Sequence, residues 1–141
     1  RVFEFLNTMN EAGTFGNFGT NWDDIRAAFQ SGKVAMYMDS SAGVRGIIDN
    51  APFEVGAADI PYADEVDRKG VVIGGASLWM SKGIAEIEQK AAWEFMKYLT
   101  TPEVQAKWHL DTGYFAINPS AYEADIVKEA WEKMPQLTVT V

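Results

Sequence analysis

The sequence lacks cysteine and has a single histidine, His109, among its 141 residues. Without cysteine there can be no disulfide, no thiol nucleophile and no cysteine-ligated metal. One histidine cannot complete a zinc site of the usual ligand count, and the carboxylates do not follow the spacing of a calcium-binding loop. We therefore predict no metal site.

Basic residues are few, since 12 Lys and Arg stand against 20 Asp and Glu, for a formal net charge of −8. This balance argues against nucleic acid or an anionic membrane surface as a partner. It does not exclude a small anionic ligand, because a local cluster of donors can outweigh a distant net charge. There is also no apolar run of 18 residues and no signal peptide. The content of 48% hydrophobic and 13% aromatic residues is typical of a folded globular chain.

Nucleophilic catalysis has weak support. A triad of Ser40 or Ser41 with His109 and an aspartate can be written down, but no G-x-S-x-G motif accompanies it. The glycines of "GGAS" at 74–77 match neither a phosphate-binding P-loop nor a dinucleotide fingerprint, so no cofactor is predicted. We expect His109 to be structural or on the surface and no residue to be catalytic, with a serine hydrolase as the alternative.

Helical and strand patterns alternate along the chain, which predicts an α/β fold. Capping residues, prolines and glycines mark the helix ends. Helices are expected at 2–9, between a cap at Thr20 or Asn21 and a stop at Gly32, at 44–50 and 84–99, and after Thr101-Pro102 and Asn118-Pro119. Strands are expected at 34–38 ("VAMYM"), 53–61 ("FEVGAADIP") and 71–80 ("VVIGGASLWM").

Two short stretches carry candidate ligand contacts. "MDSSAG" places Ser40 and Ser41 at the entry to a short helix, where they either cap the helix or face an anion or polyol. Arg45 follows one turn later and is either a bidentate donor or solvent-facing. "IGGASLW" places Gly74 and Gly75 inside a strand, where they either form a bulge or bring backbone amides close to a ligand.

Aromatic residues beside glycine at element ends are further candidates. Trp79 follows the glycine pair, and Tyr114 follows Gly113, the expected stop of the preceding helix, in "TGY". Rings in such positions often stack on ligands. Trp93 and Trp108, in contrast, lie within helices and are expected to be packing residues.

Three islands of sequence occur in a recognisable order. They are "AFQSGKVAMYMDSSAGVRGI" at 28–47, "VVIGGASLWMSKG" at 71–83 and "AAWEFMKYLTTPEVQAKWHLDTGYFAINPSAYE" at 91–123. Together they resemble the family-1 extracellular solute-binding proteins of ABC importers, which include the maltose-binding type. "GGASLW", "WH" and "TGY" resemble most the glycerol-3-phosphate-binding subfamily.

The resemblance implies a periplasmic-binding-protein type II fold, with two α/β lobes that close on a ligand about a hinge. It covers only the carboxy-terminal part of such a receptor. Residues 1–62 are expected in the carboxy-terminal lobe, 63–116 in a segment that returns to the amino-terminal lobe, and 117–141 in the carboxy-terminal lobe again. The chain is thus expected to be a truncated piece of a longer protein.

The resemblance also implies a function. Ser40, Ser41, Gly74, Gly75 and Tyr114 match ligand contacts of the subfamily, with Trp79 and Arg45 as additional candidates. The solute would be glycerol-3-phosphate, a glycerophosphodiester or a sugar, and the partner a membrane permease. The receptor would be periplasmic or extracellular, either soluble or lipid-anchored. A chain with uncovered strand edges could also form a homodimer by strand exchange and bind no ligand of its own.

Overall fold

The computed structural model describes residues 2–68 and 70–140, and the regular elements within these ranges are helical. The α-helices are α1 (Val2–Glu11), α2 (Trp22–Gln30), α3 (Val44–Asn50), α4 (Glu86–Leu99), α5 (Pro102–Thr112) and α6 (Asp125–Lys133). Short 3₁₀ turns occupy Ser41–Gly43, Pro119–Glu123 and Pro135–Thr140. These bounds confirm the predicted helices, except that the helix expected after Asn118-Pro119 begins as a 3₁₀ turn and becomes an α-helix at Asp125.

The helix ends follow local sequence signals. Asn21 caps α2, since its Oδ1 accepts from the backbone N of Asp23 at 2.9 Å. Asn118 does the same for the following 3₁₀ turn through Ser120 N at 3.1 Å. Pro102 begins α5, and Gly113 ends it in the left-handed conformation. These signals work because each satisfies or replaces a backbone group that the helix cannot pair internally.

The predicted strands do not form in the part of the chain that the structure describes. Segments 34–38, 53–61 and 71–80 contain no residue in a β-ladder. A strand obtains its hydrogen bonds from a neighbouring strand, whereas a helix obtains them from its own segment. Apolar β-branched sequence alone therefore does not produce a strand, and the α/β class is not seen among the described residues.

Two compact units are distinguished by their internal packing. The first contains the residues up to Asp39 together with Ile47–Val55. Its core is Phe29, Ile47 and Val55, with Val34, Tyr37, Ile48 and Ala51 packed against it. The second contains Ser40–Gly46 and the residues from Gly56 onward. The assignment of segments to the lobes of a receptor stays a prediction.

A polar group accompanies the core of the first unit. Arg26 binds Asp39 in bidentate fashion, with Nε–Oδ2 at 2.8 Å and Nη2–Oδ1 at 3.1 Å. The hydroxyl of Tyr37 donates to the same carboxylate at 3.1 Å. Burial, followed by the charge of Asp39 and this hydrogen bond, raises the pKa of Tyr37 to about 12. The phenol therefore stays protonated, and remains a donor, further into the alkaline range than an ordinary tyrosine.

The core of the second unit lies between α5 and α6. Ala106, Ala116, Ala121 and Val127 are buried there, and Leu110, Tyr122, Ala124 and Trp131 pack against them. His109 and Leu137 are also completely buried. Small side chains in the centre allow close packing, while the aromatic rings close the edge.

The apolar side chains of α4 are not buried. Ile87 is 73% exposed and Phe95 59% exposed, and no residue of α4 is buried. Residues 70–83 are exposed throughout as well. The spacing of the apolar residues correctly predicts the helix, but it does not indicate whether another element covers its apolar face.

Candidate ligand-binding site

The first part of the site is the serine turn, defined as Ser40 and the 3₁₀ turn Ser41–Gly43. Ser40 is its N-cap, since the Oγ accepts from Ala42 N at 3.3 Å. The Ser40 carbonyl also accepts from Gly43 N at 2.9 Å. Capping thus accounts for Ser40. It gives the hydroxyl of Ser41 no role, which leaves the ligand-binding interpretation open for that residue.

The second part is the tyrosine turn, defined as Gly113 and Tyr114 at the end of α5. Gly113 has φ of +79°, and its N–H donates to His109 O at 2.9 Å. Thr112 Oγ1 donates to Trp108 O at 2.6 Å and accepts from Tyr114 N at 3.2 Å. The chain therefore reverses over the last turn of α5, and the side chain of Tyr114 lies 41% exposed.

The two turns touch. A Cβ atom on Gly113 would lie 2.8 Å from the backbone oxygen of Ser41 and 2.7 Å from Cγ1 of Val44. Real Cβ atoms essentially never approach so closely, so only glycine fits at this contact. The structure thus brings the serine turn and the tyrosine turn together at the backbone of Ser41 and Gly113, although nearly seventy residues of chain lie between the two turns.

Trp108 joins this cluster, contrary to the expectation that it is a packing residue. Its ring stacks on that of Tyr114, with centroids 6.0 Å apart and planes inclined by 16°. Half of its surface remains exposed. The position of a tryptophan in the last turn of a helix that ends at glycine is a local signal for such stacking, because the chain then returns over that turn.

His109 lies beneath the tyrosine turn and is completely buried. Its Nδ1 is 2.8 Å from the carbonyl oxygen of Tyr114, and its Nε2 accepts from Trp131 Nε1 at 3.0 Å. The expectation of a structural histidine is therefore met. Both ring nitrogens are engaged, so neither is left to act as a general base for a serine hydroxyl, which argues against the hydrolase alternative.

Arg45 does not face solvent freely. It is half-buried, and its Nη1 donates to the thioether sulfur of Met134 at 3.0 Å. Thioether sulfur is a weak acceptor, so a phosphate oxygen would be a stronger partner for the guanidinium. The position of Arg45 two residues after the serine turn keeps it a candidate contact.

The remaining candidates lie in the exposed segment 70–83. Nothing lies within 4 Å of the position that a Cβ would take on Gly74 or Gly75, and Gly75 has φ of +134°. Trp79 is 88% exposed. These three residues are therefore not packed into the cluster that the two turns form, and their contact with a ligand stays a prediction.

Other classes of site have no support in the part of the chain described. No group of three or more His, Asp or Glu side chains is arranged to hold a metal ion within it. Nor does any helix within residues 2–68 and 70–140 combine the length and the apolar character needed to cross a bilayer.

Comparison with known proteins decides the family. The family model of the bacterial extracellular solute-binding proteins matches residues 1–136, nearly the whole chain. The chain belongs to this family. Its members bind solutes, and the fold of the family is the periplasmic-binding-protein fold. The resemblance that the sequence motifs indicated is thereby confirmed.

Individual relatives narrow the comparison. The sn-glycerol-3-phosphate-binding periplasmic protein of Pectobacterium atrosepticum is 38% identical over 136 residues. Proteins of the same name from Yersinia enterocolitica and Escherichia coli K12 are 37% and 35% identical over 134 and 132 residues. These alignments cover 92–94% of this chain but 30% of each relative. The chain therefore spans less than a third of the length of the relatives it matches.

Proposed function

We propose that this chain is part of the substrate-binding component of an ABC importer and that its solute is glycerol-3-phosphate, a glycerophosphodiester or a related sugar. The names of the relatives support this solute class. The single observation that carries the proposal is the contact between Gly113 and Ser41 O, which holds the serine turn against the tyrosine turn. The component would be periplasmic or extracellular.

The chemistry of the two turns suits a phosphorylated polyol. Ser40, Ser41 and Tyr114 offer hydroxyl groups, which can donate to phosphate oxygens and both donate to and accept from a polyol. The stacked rings of Trp108 and Tyr114 offer an apolar face for the carbon skeleton. Arg45 would add charge by exchanging Met134 Sδ for a phosphate oxygen. Recognition then depends on local donors rather than on the net charge of −8.

In the whole receptor, Gly74, Gly75 and Trp79 would complete the wall of the cleft. Ligand contacts on both lobes would favour the closed state by the free energy of those contacts, and the permease would recognise that state. Nothing in this mechanism requires a covalent step, so we propose binding and not catalysis.

Removing single hydroxyls tests the site. In calorimetric titrations of glycerol-3-phosphate into the chain, Ser41→Ala and Tyr114→Phe should each weaken binding roughly 10- to 150-fold, because a hydrogen bond to a charged group contributes roughly 1.5–3 kcal/mol. Ser120→Ala and Tyr98→Phe are the matched controls, since both lie in exposed positions away from the two turns. Equal losses in the controls, or unchanged affinity in the site variants, would contradict the assignment. Titrations with maltose and with inorganic phosphate measure separately how much the hydroxyl groups and the phosphate of the ligand contribute to affinity.

A second candidate is self-association, favoured by the exposure of residues 71–80. Val72 is 97% exposed and Trp79 88% exposed, and the segment has no β-ladder in the described chain. We propose that this segment pairs with the same segment of a second copy, which would satisfy backbone groups and cover apolar surface. The chain by itself would then be a homodimer formed by strand pairing.

Light scattering after size exclusion tests the homodimer. The chain is expected to show twice the monomer mass at micromolar concentration, and Val72→Lys should shift it to the monomer, because a charged side chain on the pairing edge opposes association. Val2→Lys, at a 71% exposed position of α1, is the control and should leave the dimer intact. A monomer at all concentrations would refute the proposal.

A further inference from the structure

We propose that His109 is a positioning residue for the ligand contact Tyr114. It would act as a brace, defined as the chain of hydrogen bonds from Tyr114 O through the imidazole of His109 to Trp131. The part of this proposal that concerns affinity rests on the proposed function. The part that concerns the brace itself can be tested without a ligand.

The partners of the ring fix its protonation. The carbonyl oxygen of Tyr114 can only accept, so Nδ1 at 2.8 Å must carry a hydrogen. The indole N–H of Trp131 can only donate, so Nε2 at 3.0 Å must be without one. The neutral Nδ1–H tautomer is the one form that satisfies both partners. In a protonated ring, the Nε2–H of His109 would face the indole N–H of Trp131, so that two donors would meet without an acceptor.

The packing around the ring fixes its orientation. The rings of Tyr122 and Trp131 meet His109 edge-on, with centroids 5.4 and 5.9 Å away and interplanar angles of 89°. The imidazole is completely buried, so water cannot replace either partner. The plane in which Nδ1 donates is therefore set by α6 and the turn before it, and not by α5 alone.

The segment that carries Tyr114 is held at successive points. Gly113 N donates to His109 O at 2.9 Å, Tyr114 O accepts from the brace, and Ala116 N donates to the hydroxyl of Tyr122 at 2.7 Å. All three contacts are to the backbone, so the Tyr114 ring stays outward, against Trp108. His109 thus sets where that ring stands without touching a ligand. This arrangement makes it a positioning residue.

The first test is the tautomer. His109 is the sole histidine of the chain, so its ring nitrogens give one unambiguous set of signals in long-range ¹H–¹⁵N spectra of the whole chain. At neutral pH we expect the Nδ1–H tautomer, with a protonated Nδ1 and an unprotonated Nε2. Trp131→Phe, which removes the indole donor, should keep the Nδ1–H tautomer, because Tyr114 O still requires that hydrogen, but it should shift the ¹⁵N signal of Nε2, which loses its hydrogen bond. An Nε2–H tautomer or a charged ring in the unaltered chain would overturn the proposal.

The second test separates position from stability. The amide of asparagine places its nitrogen near the site of Nδ1, so His109→Asn can still donate to Tyr114 O. Glutamine reaches the site of Nε2 and can accept from Trp131, but it leaves Tyr114 O without its donor. Both variants lose the imidazole ring, so they are matched for lost packing. The ¹³C signal of the Tyr114 carbonyl should keep its hydrogen-bonded shift in His109→Asn and lose it in His109→Gln.

Affinity provides the third test. If the chain binds glycerol-3-phosphate, His109→Gln should weaken binding about tenfold, whereas His109→Asn should retain it within about threefold, at similar midpoints of denaturation. Equal weakening in both, or the same Tyr114 carbonyl shift in all three proteins, would overturn the brace. Absence of binding in the unaltered chain would instead contradict the proposed function, and the two spectroscopic tests would still decide on His109.

Discussion

Replacing Gly113 with alanine should lower the free energy of unfolding of the second unit by about 2–5 kcal/mol. Two costs combine at this position. A residue with a Cβ pays roughly 1–2 kcal/mol in the left-handed region that φ of +79° requires. The added Cβ would also meet Ser41 O at 2.8 Å and Val44 Cγ1 at 2.7 Å, and overpacking of this kind costs about 1–3 kcal/mol. Urea denaturation followed by tryptophan fluorescence measures the sum.

Gly32 provides the matched control. It also follows a helix, has φ of +73°, and nothing lies within 4 Å of its Cβ position. Gly32 lies in the first unit, so Gly32→Ala reports the left-handed conformation alone and should lower the free energy of unfolding of that unit by about 1–2 kcal/mol. An equal loss in the two variants would show that Gly113 does not press against the serine turn. Glycerol-3-phosphate affinity should fall in Gly113→Ala but not in Gly32→Ala, because only the former separates the two turns.

The contrast between these glycines shows what local sequence can predict. Both glycines are expected as helix stops, and both predictions are confirmed, because a helix stop depends only on the residues around it. That Gly113 also lies against Ser41 could not be inferred from spacing or periodicity. It depends on the packing of α5 against a turn that lies far away in the chain. The resemblance to the family, and not the local pattern, placed Ser41 and Tyr114 at one site.

Strands show the opposite case. The helices at 44–50 and after Pro102 formed as expected, because caps and internal hydrogen bonds suffice to define them. Segment 71–80 has the apolar and β-branched composition of a strand, yet no ladder forms in the described residues. The composition of a segment indicates that its side chains suit a sheet, but only a neighbouring strand supplies the hydrogen bonds. The same limit applies to the uncovered apolar face of α4.

The hydrogen bonds of His109 that form the brace were not predicted, for a different reason. A lone histidine in a helix gives no sign of its partners, and Trp131 lies 22 residues further along in another helix. Trp108 was assigned to packing because it lies in a helix, but half of it remains exposed. Hydrogen-bond chemistry could have narrowed the possible partners of His109. A buried neutral imidazole requires one donor and one acceptor, and indole and backbone carbonyl groups are common sources of these.

Replacing Trp131 with alanine should destabilise the second unit by roughly 2–4 kcal/mol, because the side chain is partly buried and truncating a fully buried Trp costs about 3–5 kcal/mol. The ring packs against His109 and Tyr122, with a centroid 5.6 Å from that of Tyr122. Its loss also leaves Nε2 of the buried His109 without its donor, which adds the cost of an unsatisfied polar group. Urea denaturation followed by far-ultraviolet circular dichroism measures the change without depending on the tryptophan removed.

Trp93→Ala is the control for Trp131→Ala. Trp93 is 55% exposed on α4, and its removal should change stability by less than about 1 kcal/mol. If both variants lost the same stability, the aromatic cluster around His109 would not be the core of the second unit. If only Trp131→Ala causes a large loss of stability, the residues that hold α5 and α6 together are the same residues that support Tyr114. Ligand affinity and the stability of this unit should in that case decline together across substitutions in the cluster.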